Sequence, residues 1–567
     1  MKRTHILLYV LIAVLPQARA GDYYVDNVAG RDEFDGRSPE ADPPLRGPFR
    51  TLAHATRALK PGDTLHLAAT GVVYRETLTL PAGGRPGRPI AVDGHGAWLT
   101  GADPLPADGW RPAPNTAAGT RMRGDVEPTG HRFGLVVNGK IVLQTRDFDR
   151  LEPGEFAVGG NPKLPTIYHR PLDRNTLAGR RIVVIHPDGE RTTLAPDRWR
   201  PSHSRLDDVL RHRGMEKPPA GIEVDGRAIE PVRAHRRLGP GQWTRVDGVL
   251  YYRPPADTAI DEMRLMAVVR DNGVYLGGDL AHVTIRNINV VYAANDGFNI
   301  HGRVTDASFV NCNAFHCFDE GFSAHDHCRT TLDGGVFIDC DNGIANVNRG
   351  GESTTRNVIV SGARNVGLLI QQRGDARHRV SDSIILDSPR QLVFLTGGER
   401  NKVACTIENL LVAATPDAVT APRTALTLGR NVTLKRITAA GADRVLFADG
   451  RASAHIVRSL LAGGRGGVHL RAKDPSEIVV FRNVRVEPDL EMTWGVRPPW
   501  TRTPVATWFA DRPEAAPGCG AMAIDLEKAL FAGRVPANYP EAIGCRRESI
   551  MRFLKFTKER DALLRRA

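Results

Sequence analysis

Apolar and polar residues recur with a period of 22–24 residues in the middle of the chain. Four segments carry the pattern, each with glycine third: NDGFNIHG (295–302), DEGFSAHD (319–326), DNGIANVN (341–348) and NVGLLIQQ (365–372). After each glycine, apolar and polar positions alternate, which is typical of a β-strand with one buried face. A period of this length indicates one turn of a parallel β-helix, because each turn buries its apolar residues only against stacked neighbours.

The alternation also predicts which side chains enter the core. Predicted inward positions are Phe298/Ile300, Phe322/Ala324, Ile344/Asn346 and Leu368/Ile370. Predicted outward positions are Asn299/His301, Ser323/His325, Ala345/Val347 and Leu369/Gln371. A second strand set recurs at ASFVNC, GVFIDC, NVIVSG and SIILDS, with the turn residues Asn311, Asp339, Ser361 and Asp387. A leucine-rich repeat is disfavoured because its Leu and Asn framework is absent.

Residues 21–100 open with a strand, a Gly/Asp-rich loop, a short amphipathic helix, the turn Pro61-Gly62-Asp63 and an alternating strand. This order, and the residues YYV, DG, SPE, PF and PGDT within it, resemble the N-terminal cap of secreted right-handed parallel β-helix proteins. These proteins form the pectate-lyase-like superfamily of polysaccharide lyases and β-helix glycoside hydrolases. The resemblance implies an all-β fold, a right-handed parallel β-helix solenoid with terminal caps.

The remaining boundaries follow from local patterns. Asn-Gly or Asp-Gly pairs at 138–139, 188–189, 225–226 and 247–248 predict hairpins, so we expect a small inserted antiparallel β module over 101–265. The segment 242–255 resembles part of some β-helix glycoside hydrolases. Residues 266–485 are predicted to form the β-helix core. Residues 486–567, with three tryptophans and a basic amphipathic end, are predicted to cap the last turn.

The first twenty residues have the form of a secretory signal peptide: a basic start, a short apolar stretch and Ala18-Arg19-Ala20. We expect cleavage after Ala20 and a secreted or periplasmic protein. Cleavage removes Lys2, Arg3 and Arg19, which lowers the net charge from +12 to +9. We expect a monomer that binds a polysaccharide, and no nucleic acid or membrane partner. Cysteines are too few for a disulfide scaffold, and Cys519 with Cys545 is the candidate pair.

Stacking places equivalent residues of adjacent turns about 4.8 Å apart. The two positions before each glycine then gather four carboxylates: Asp296, Asp319, Glu320 and Asp341. The same segments and the residues just after them add His301, Arg303, His325, Asp326, His327, Arg349 and Arg373. Asp and Asn before Gly often only form turns. The later repeats lose the acids, however, which favours a local chemical function.

The favoured hypothesis is glycoside hydrolysis by Asp296 and Glu320, with Asp319 and Asp341 as alternates. Such pairs lie about 5 Å apart in retaining enzymes and about 6.5–9.5 Å apart in inverting ones. Like charges on adjacent turns raise the pKa of one acid. His301 and His325 are predicted to bind hydroxyls or to tune that acid. His327, Arg303 and Arg373 are predicted to bind substrate.

The alternative is β-elimination of an acidic, uronate-containing polysaccharide. Asp319, Asp341 and Asp326 would hold calcium, and Arg349, His325 or His327 would remove the C5 proton. The resemblance implies an Arg or Lys base for this reaction. Without calcium, no cofactor is expected. A non-catalytic glycan-binding or adhesin solenoid is the third hypothesis, and a transition-metal site of His301, His325, His327 and Asp326 is the least favoured.

Overall fold

The computed structural model describes 20–100 except 43, 234–372 except 247, 248 and 257, and 374–566 except 398–404, 416–421, 464, 465, 523–529, 531, 533, 537 and 541. Between 101 and 233 it describes the strands and some connecting residues. The predicted leader up to residue 19, the predicted substrate ligand Arg373 and the turns at 188–189, 225–226 and 247–248 lie outside the described residues.

The chain divides into two compact units, one formed by 1–100 with 272–567 and the other by 101–271. The first unit is a parallel β-solenoid of about 12 turns, as predicted. Each turn contributes strands to two sheets, which we call the front sheet and the back sheet. The antiparallel strands predicted for the inserted segment are present in the second unit.

The back sheet is parallel throughout its described strands, and several long strands bend within it. Its strands are β1 (Asp22–Val25), β2 (Thr64–Leu67), β4 (Ile90–Asp93), β5 (Trp98–Thr100), β23 (Asp279–Arg286), β24 (Asn289–Val291), β26 (Arg303–Val310), β27 (Asn313–Phe315), β29 (Thr330–Ile338), β31 (Glu352–Ser361), β33 (Arg377–Leu386), β35 (Cys405–Ala413), β37 (Val432–Ala440), β39 (Ala454–Val457), β40 (Leu460–Leu461), β42 (Val479–Arg482), β43 (Arg485–Val486) and β46 (Gly520–Ala521).

The front sheet stacks one short strand per turn, and it is parallel up to its last strand, which runs antiparallel. Its strands are β3 (Leu78–Thr79), β22 (Val274–Leu276), β25 (Phe298–Ile300), β28 (Glu320–Asp326), β30 (Asn342–Asn348), β32 (Val366–Gln372), β34 (Gln391–Gly397), β36 (Thr424–Leu428), β38 (Arg444–Asp449), β41 (Gly467–Arg471), β44 (Glu491–Trp494) and β45 (Thr501–Pro504).

The register of the front sheet confirms the predicted core positions. Phe298 pairs with Phe322, Phe322 with Ile344 and Ile344 with Leu368, and all four side chains are buried. The next inward row, Ile300, Ala324, Asn346 and Ile370, is also buried. Apolar residues that are separated by about one period therefore become neighbours in a continuous core, which the hydrophobic effect stabilises.

The predicted alignment of the second strand set is wrong in part. Phe309 of ASFVNC pairs with Leu332, whereas Phe337 of GVFIDC pairs with Ala314. Asn311 and Asp339 therefore lie at different corners of the solenoid and do not stack on each other. Ile338 pairs with Ser361, which places Asp339 level with Gly362 instead of Ser361. The long back-sheet strands span two faces of the solenoid with a turn residue between them. The sequence pattern alone did not distinguish strand segments of one face from those of the other.

The second unit consists of four small antiparallel sheets in its described part. Its strands are β6 (Ala102–Leu105), β7 (Arg111–Pro112), β8 (Arg121–Arg123), β9 (Gly134–Val137), β10 (Lys140–Val142), β11 (Phe156–Asn161), β12 (Leu164–His169), β13 (Ile182–Ile185), β14 (Arg191–Leu194), β15 (Arg200–Pro201), β16 (Leu210–His212), β17 (Gly221–Val224), β18 (Arg227–Ile229), β19 (Gln242–Val246), β20 (Val249–Arg253) and β21 (Leu265–Val268). All four predicted hairpins pair as expected: β9 with β10, β13 with β14, β17 with β18 and β19 with β20.

Helices are few. The α-helices are α1 (Leu52–Ala58), α2 (Val505–Asp511) and α3 (Arg547–Arg566), and short 3-10 turns cover Ala234–Arg237, Ile260–Glu262 and Pro475–Glu477. Thr51 caps α1 by accepting a hydrogen bond from the backbone N–H of His54. Among the described residues, none of the helices combines the length and hydropathy needed to cross a bilayer.

The C-terminal segment contacts the solenoid in two places. Trp508 and Phe509 of α2 pack against Phe481 at the last turns. The basic helix α3 instead lies along the back sheet, against β33 and β35, so it does not cover the last turn. All seven cysteines are free thiols, which excludes the Cys519–Cys545 disulfide in this structure.

Candidate active site

A column of three glycines, Gly297, Gly321 and Gly343, lies where the front strands β25, β28 and β30 begin. A Cβ atom added to Gly297 would lie 2.6 Å from the carbonyl oxygen of Gly321, and one added to Gly321 would lie 2.7 Å from that of Gly343. Any side chain would therefore push adjacent turns apart. Because glycine has no side chain, adjacent turns can approach each other closely at these positions. The residues just before the glycines on successive turns therefore lie close together.

Asp296, Asp319 and Glu320 form what we call the acid cluster. One carboxylate oxygen from each lies within 4.8 Å of the others. Asp296 is 1% exposed, and its Oδ1 and Oδ2 accept hydrogen bonds from the Glu320 backbone N–H (3.1 Å) and the Ser323 hydroxyl (2.6 Å). Asp319 and Glu320 remain partly exposed. The cluster therefore combines one buried acid with two that solvent can reach.

Burial raises the pKa of Glu320 well above its ordinary range, and the charges of Asp296 and Asp319 raise it further. The Glu320 carboxyl also hydrogen-bonds Asp296, which raises the same pKa, while a hydrogen bond from Asn342 opposes the effect. Burial also raises the pKa of Asp296, against hydrogen bonds from Glu320 and Ser323. The group that holds a proton is consequently Glu320, which donates to Asp296.

A row of hydrogen-bonded side chains leads away from the cluster along the solenoid. Asn342 Nδ2 donates to Glu320 Oε1 (3.0 Å), and Asn365 Nδ2 donates to Asn342 Oδ1 (3.1 Å). Arg390 Nη1 donates to Asn365 Oδ1 (3.4 Å). We call these residues the amide row. It places one polar side chain on each successive turn and ends at an exposed arginine.

The structure separates the predicted site into two groups at opposite ends of the front strands. His301 stacks on His325, with ring centroids 4.2 Å apart and an angle of 6° between the planes. His301 Nδ1 lies 3.5 Å from Asp326 Oδ2. His301 follows Asp296 by five residues of extended chain, which is about 16 Å. The structure therefore places the histidine pair at the other end of the front strands from the acids that it was predicted to tune.

The other predicted residues lie at the histidine end or outside the cluster. Arg303 and His327 are exposed, and exposed Arg349 donates its backbone N–H to the Asp326 carbonyl (2.6 Å). Asp341 contacts Asp319 through the backbone, and its carboxylate is not part of the cluster. Asp319 and Asp326 flank β28 at a distance of about 20 Å. The structure therefore gathers Asp319 with Asp296 and Glu320, and it does not bring Asp326 or Arg349 to that place.

Several residues near the cluster were missed by the sequence analysis. Ser323, Asn342 and Asn365 hydrogen-bond to the acids or to each other, and the repeat could have found both asparagines because they also precede a glycine. On the neighbouring turns, His316 Nδ1 lies 2.7 Å from Asp339 Oδ2. Arg364 donates to the carbonyl oxygens of Asp339 and Cys317. No short motif marks these contacts.

The stacked turns form a parallel β-solenoid, which is the architecture that the sequence resemblance implied. No protein-family model matches the chain, and no curated protein is similar to it.

Among solved structures, the chain is similar to XylC in complex with xylose, with 10% identity, a TM-score of 0.40, and coverage of 83% of this chain and 84% of that one. It is similar to a rhamnogalacturonan lyase with 8% identity, a TM-score of 0.35, and coverage of 81% and 84%. It is also similar to the GH136 lacto-N-biosidase from Eubacterium ramulus, with 12% identity, a TM-score of 0.29, and coverage of 89% and 68%. At these identities the likeness concerns the fold alone.

Proposed function

We propose that this protein is an exported glycoside hydrolase that cleaves a polysaccharide at the acid cluster. Glu320 is the general acid, and Asp319 is the nucleophilic carboxylate that acts on the sugar. The observation that carries the proposal is the raised pKa of a partly exposed Glu320 beside a second accessible carboxylate. A glycosidase requires this combination of one protonated and one ionised acid.

In this mechanism Glu320 gives its proton to the glycosidic oxygen as the bond to the anomeric carbon breaks. Asp319 attacks that carbon and forms a glycosyl ester. Water then releases the sugar as Glu320 takes back a proton. Carboxylate oxygens within 4.8 Å favour this retaining course, because an inverting enzyme needs about 6.5–9.5 Å between the groups for its water.

Asp296 is too deeply buried to touch a sugar, so we assign it a positioning role. Its carboxylate accepts the Glu320 proton in a hydrogen bond, and its charge raises the pKa of Glu320. This assignment changes the predicted pair of Asp296 and Glu320 to Asp319 and Glu320. The buried acid keeps the general acid protonated at neutral pH, when an exposed glutamate would be ionised.

A linear polysaccharide fits the amide row. Asn342 is buried and supports Glu320, whereas the partly exposed Asn365 and the exposed Arg390 lie on adjacent turns, about 4.8 Å apart, where successive sugars can hydrogen-bond to them. The net charge of +9 that the chain would carry after cleavage at Ala20 suits an acidic polymer. The signal-like N-terminal segment supports secretion or a periplasmic location.

The test measures reducing ends and ultraviolet absorbance of unsaturated uronates after incubation with a panel of neutral and acidic polysaccharides. A hydrolase produces only reducing ends. Glu320→Gln and Asp319→Asn should each lower the rate by about 100-fold or more. Glu352→Gln, which removes an ion pair with Arg379 in the back sheet, and Asp341→Asn are the matched controls. Full activity in both cluster variants would refute the assignment.

Calcium-assisted β-elimination is the second candidate, because three carboxylate oxygens within 4.8 Å are ligands that calcium prefers. Asp296, Asp319 and Glu320 would hold the ion, which would neutralise a uronate carboxylate. This candidate predicts unsaturated products, activation by added calcium and loss of activity with a chelator. Products without unsaturation and with no response to the chelator exclude it. Binding without any product supports a glycan-binding solenoid.

A further inference from the structure

A second group of functional side chains lies on the front sheet, far from the acid cluster. It comprises Arg444 and Phe447 on β38, His469 and Arg471 on β41, and Trp500 just before β45. Phe447 and His469 are paired in register on adjacent strands. The strand β38 is the fifth after β28 in the sheet, so this group lies about 24 Å from Glu320 along the solenoid.

Both arginines flank one aromatic ring. The Cζ atom of Arg444 lies 5.3 Å from the centre of the Phe447 ring, and that of Arg471 lies 5.5 Å from it. The His469 ring makes edge contacts with Phe447 (5.7 Å between centroids) and Trp500 (5.1 Å). A ligand above Phe447 would therefore lie within reach of two guanidinium groups and a second aromatic ring.

Among the residues that the structure describes, the charges in this group have no acidic partner. Basic residues of the back sheet such as Arg356, Arg379 and Lys435 form ion pairs with acids. Within the described part of the chain, no carboxylate forms an ion pair with Arg444 or Arg471. Burial and the charge of Arg471 lower the pKa of Arg444, which shows that the two cations repel each other. His469 Nε2 is buried without a hydrogen-bond partner.

We propose that Arg444, Arg471, His469, Phe447 and Trp500 bind a sugar that carries an oxyanion, either a carboxylate or a sulfate ester. Guanidinium groups bind planar oxyanions with two parallel hydrogen bonds, and they do so strongly where water is partly excluded. The aromatic rings offer apolar faces to a pyranose ring. Two like charges with no acidic partner in the described part of the chain are costly, and an anionic ligand would offset that cost.

The proposal does not depend on cleavage at the acid cluster. Binding is measured by titration calorimetry on the full chain with three probes: hexagalacturonate, a sulfated carrageenan hexasaccharide and neutral cellohexaose. The Glu320→Gln variant serves as the parent protein so that no probe is cleaved. Tight binding of either anionic probe identifies its oxyanion, whereas equal affinity for all three probes overturns the proposal.

Arg444→Gln and Arg471→Gln should each weaken binding of the anionic probe by about tenfold or more. The matched control is Arg482→Gln, an exposed arginine on β42 of the back sheet, which should leave the affinity unchanged. Arg444→Lys should retain part of the affinity, because it keeps the charge but loses the planar fork. Unchanged affinity in both glutamine variants, or equal losses in the control, refutes the site.

Thermal unfolding distinguishes this site from a structural role. Because each glutamine variant removes repulsion between two cations, its melting temperature should equal or exceed that of the parent. The anionic probe should raise the melting temperature of the parent and not of the variants. Lower melting temperatures in both variants, with no change in affinity of the folded protein, would assign the arginines to packing on Phe447 and overturn the proposal.

Discussion

Glu320 keeps its proton because several forces act on the same side chain. Burial and the neighbouring charges of Asp296 and Asp319 favour the neutral form, and only the hydrogen bond from Asn342 opposes them. Together with the hydrogen bond to Asp296, these raising effects number four and outweigh the hydrogen bond from Asn342, because desolvation of a charge costs more than one neutral hydrogen bond returns. The stacked repeat therefore raises the proton affinity of Glu320, and this proton affinity suits Glu320 to act as a general acid.

This proton affinity predicts how stability depends on pH. An unfolded glutamate ionises near pH 4.3. Folded Glu320 has a raised pKa and keeps its proton at higher pH, so the folded state binds more protons than the unfolded state in that interval. The free energy of unfolding should therefore fall as pH rises above about 4.3. Glu320→Gln cannot ionise, so this variant should lose less stability between pH 5 and pH 8.

Thermal melts at both pH values measure this difference. Glu352→Gln is the control, because Glu352 forms an ion pair with Arg379 in the back sheet and has no part in the cluster. It should keep the pH dependence of the parent. Equal pH dependence in the parent and in Glu320→Gln would mean that Glu320 is ionised in the folded protein.

The positioning role of Asp296 makes a separate prediction. Asp296→Asn removes one of the two acidic charges that raise the pKa of Glu320, so the alkaline limb of the activity–pH profile should move to lower pH. Activity at the new optimum should persist, in contrast to Glu320→Gln. Asp341→Asn lies one turn further on and should leave the profile in place. A profile unaltered by Asp296→Asn would remove Asp296 from the mechanism.

At the scale of the elements, the front strands follow the sequence pattern closely and the back strands do not. Gly297 directly precedes β25, and Gly321 and Gly343 are the second residues of β28 and β30, so the spacing of these glycines fixes the register. In the back sheet, Asn311, Asp339 and Asp387 all have positive φ, but Asn311 lies at a different corner of the solenoid from the other two. Asparagine and aspartate both tolerate this conformation, so residue type alone could not distinguish the turns.

The sequence predicted the candidate site along the solenoid axis, from turn to turn, but not along the strands. The repeat correctly indicated which turns carry Asp296, Glu320 and Asp319, and stacking brought them together. It could not bring His301 or Arg349 to the same place, because residues along one extended strand diverge by about 3.3 Å each. The hydrogen bond of Ser323 to Asp296 depends on side-chain direction, which the repeat does not determine.

The glycine column gives a prediction at this scale. In Gly321→Ala the new Cβ would lie 2.7 Å from the Gly343 carbonyl oxygen and 2.8 Å from Phe337 Cδ1. Overpacking of this kind should lower the free energy of unfolding by about 1–3 kcal/mol. Gly520→Ala is the matched control, because nothing lies within 4 Å of its added Cβ and its φ is ordinary. Denaturant unfolding that shows similar stability for both variants would contradict the close-contact explanation.

At the scale of the whole molecule, a solenoid must cover the end of its core. Here Trp508 of α2 does so: it is 0% exposed and packs edge-on against Phe481 and Phe509. An uncovered end would expose apolar side chains and unpaired strand edges, which invite association with other chains. Helix α3 stabilises the side of the solenoid instead, since Arg560 lies 3.2 Å from the buried Asp387 carboxylate.

Two substitutions of Trp508 test this covering role. Trp508→Ala would leave a large cavity over the last turns and should lower the free energy of unfolding by about 3–5 kcal/mol. Trp508→Phe should cost much less, because it keeps most of the ring and removes an indole N–H that has no hydrogen-bond partner. Chemical unfolding measures stability, and size-exclusion chromatography should show association of the alanine variant alone.

Because adjacent turns stabilise one another, the Trp508→Ala substitution at the end should also loosen the nearby site of Arg444 and Arg471 before it affects the distant acid cluster. Hydrogen exchange should therefore rise first in β41 and β44, and a uniform rise along the front sheet would show that the solenoid unfolds as one unit.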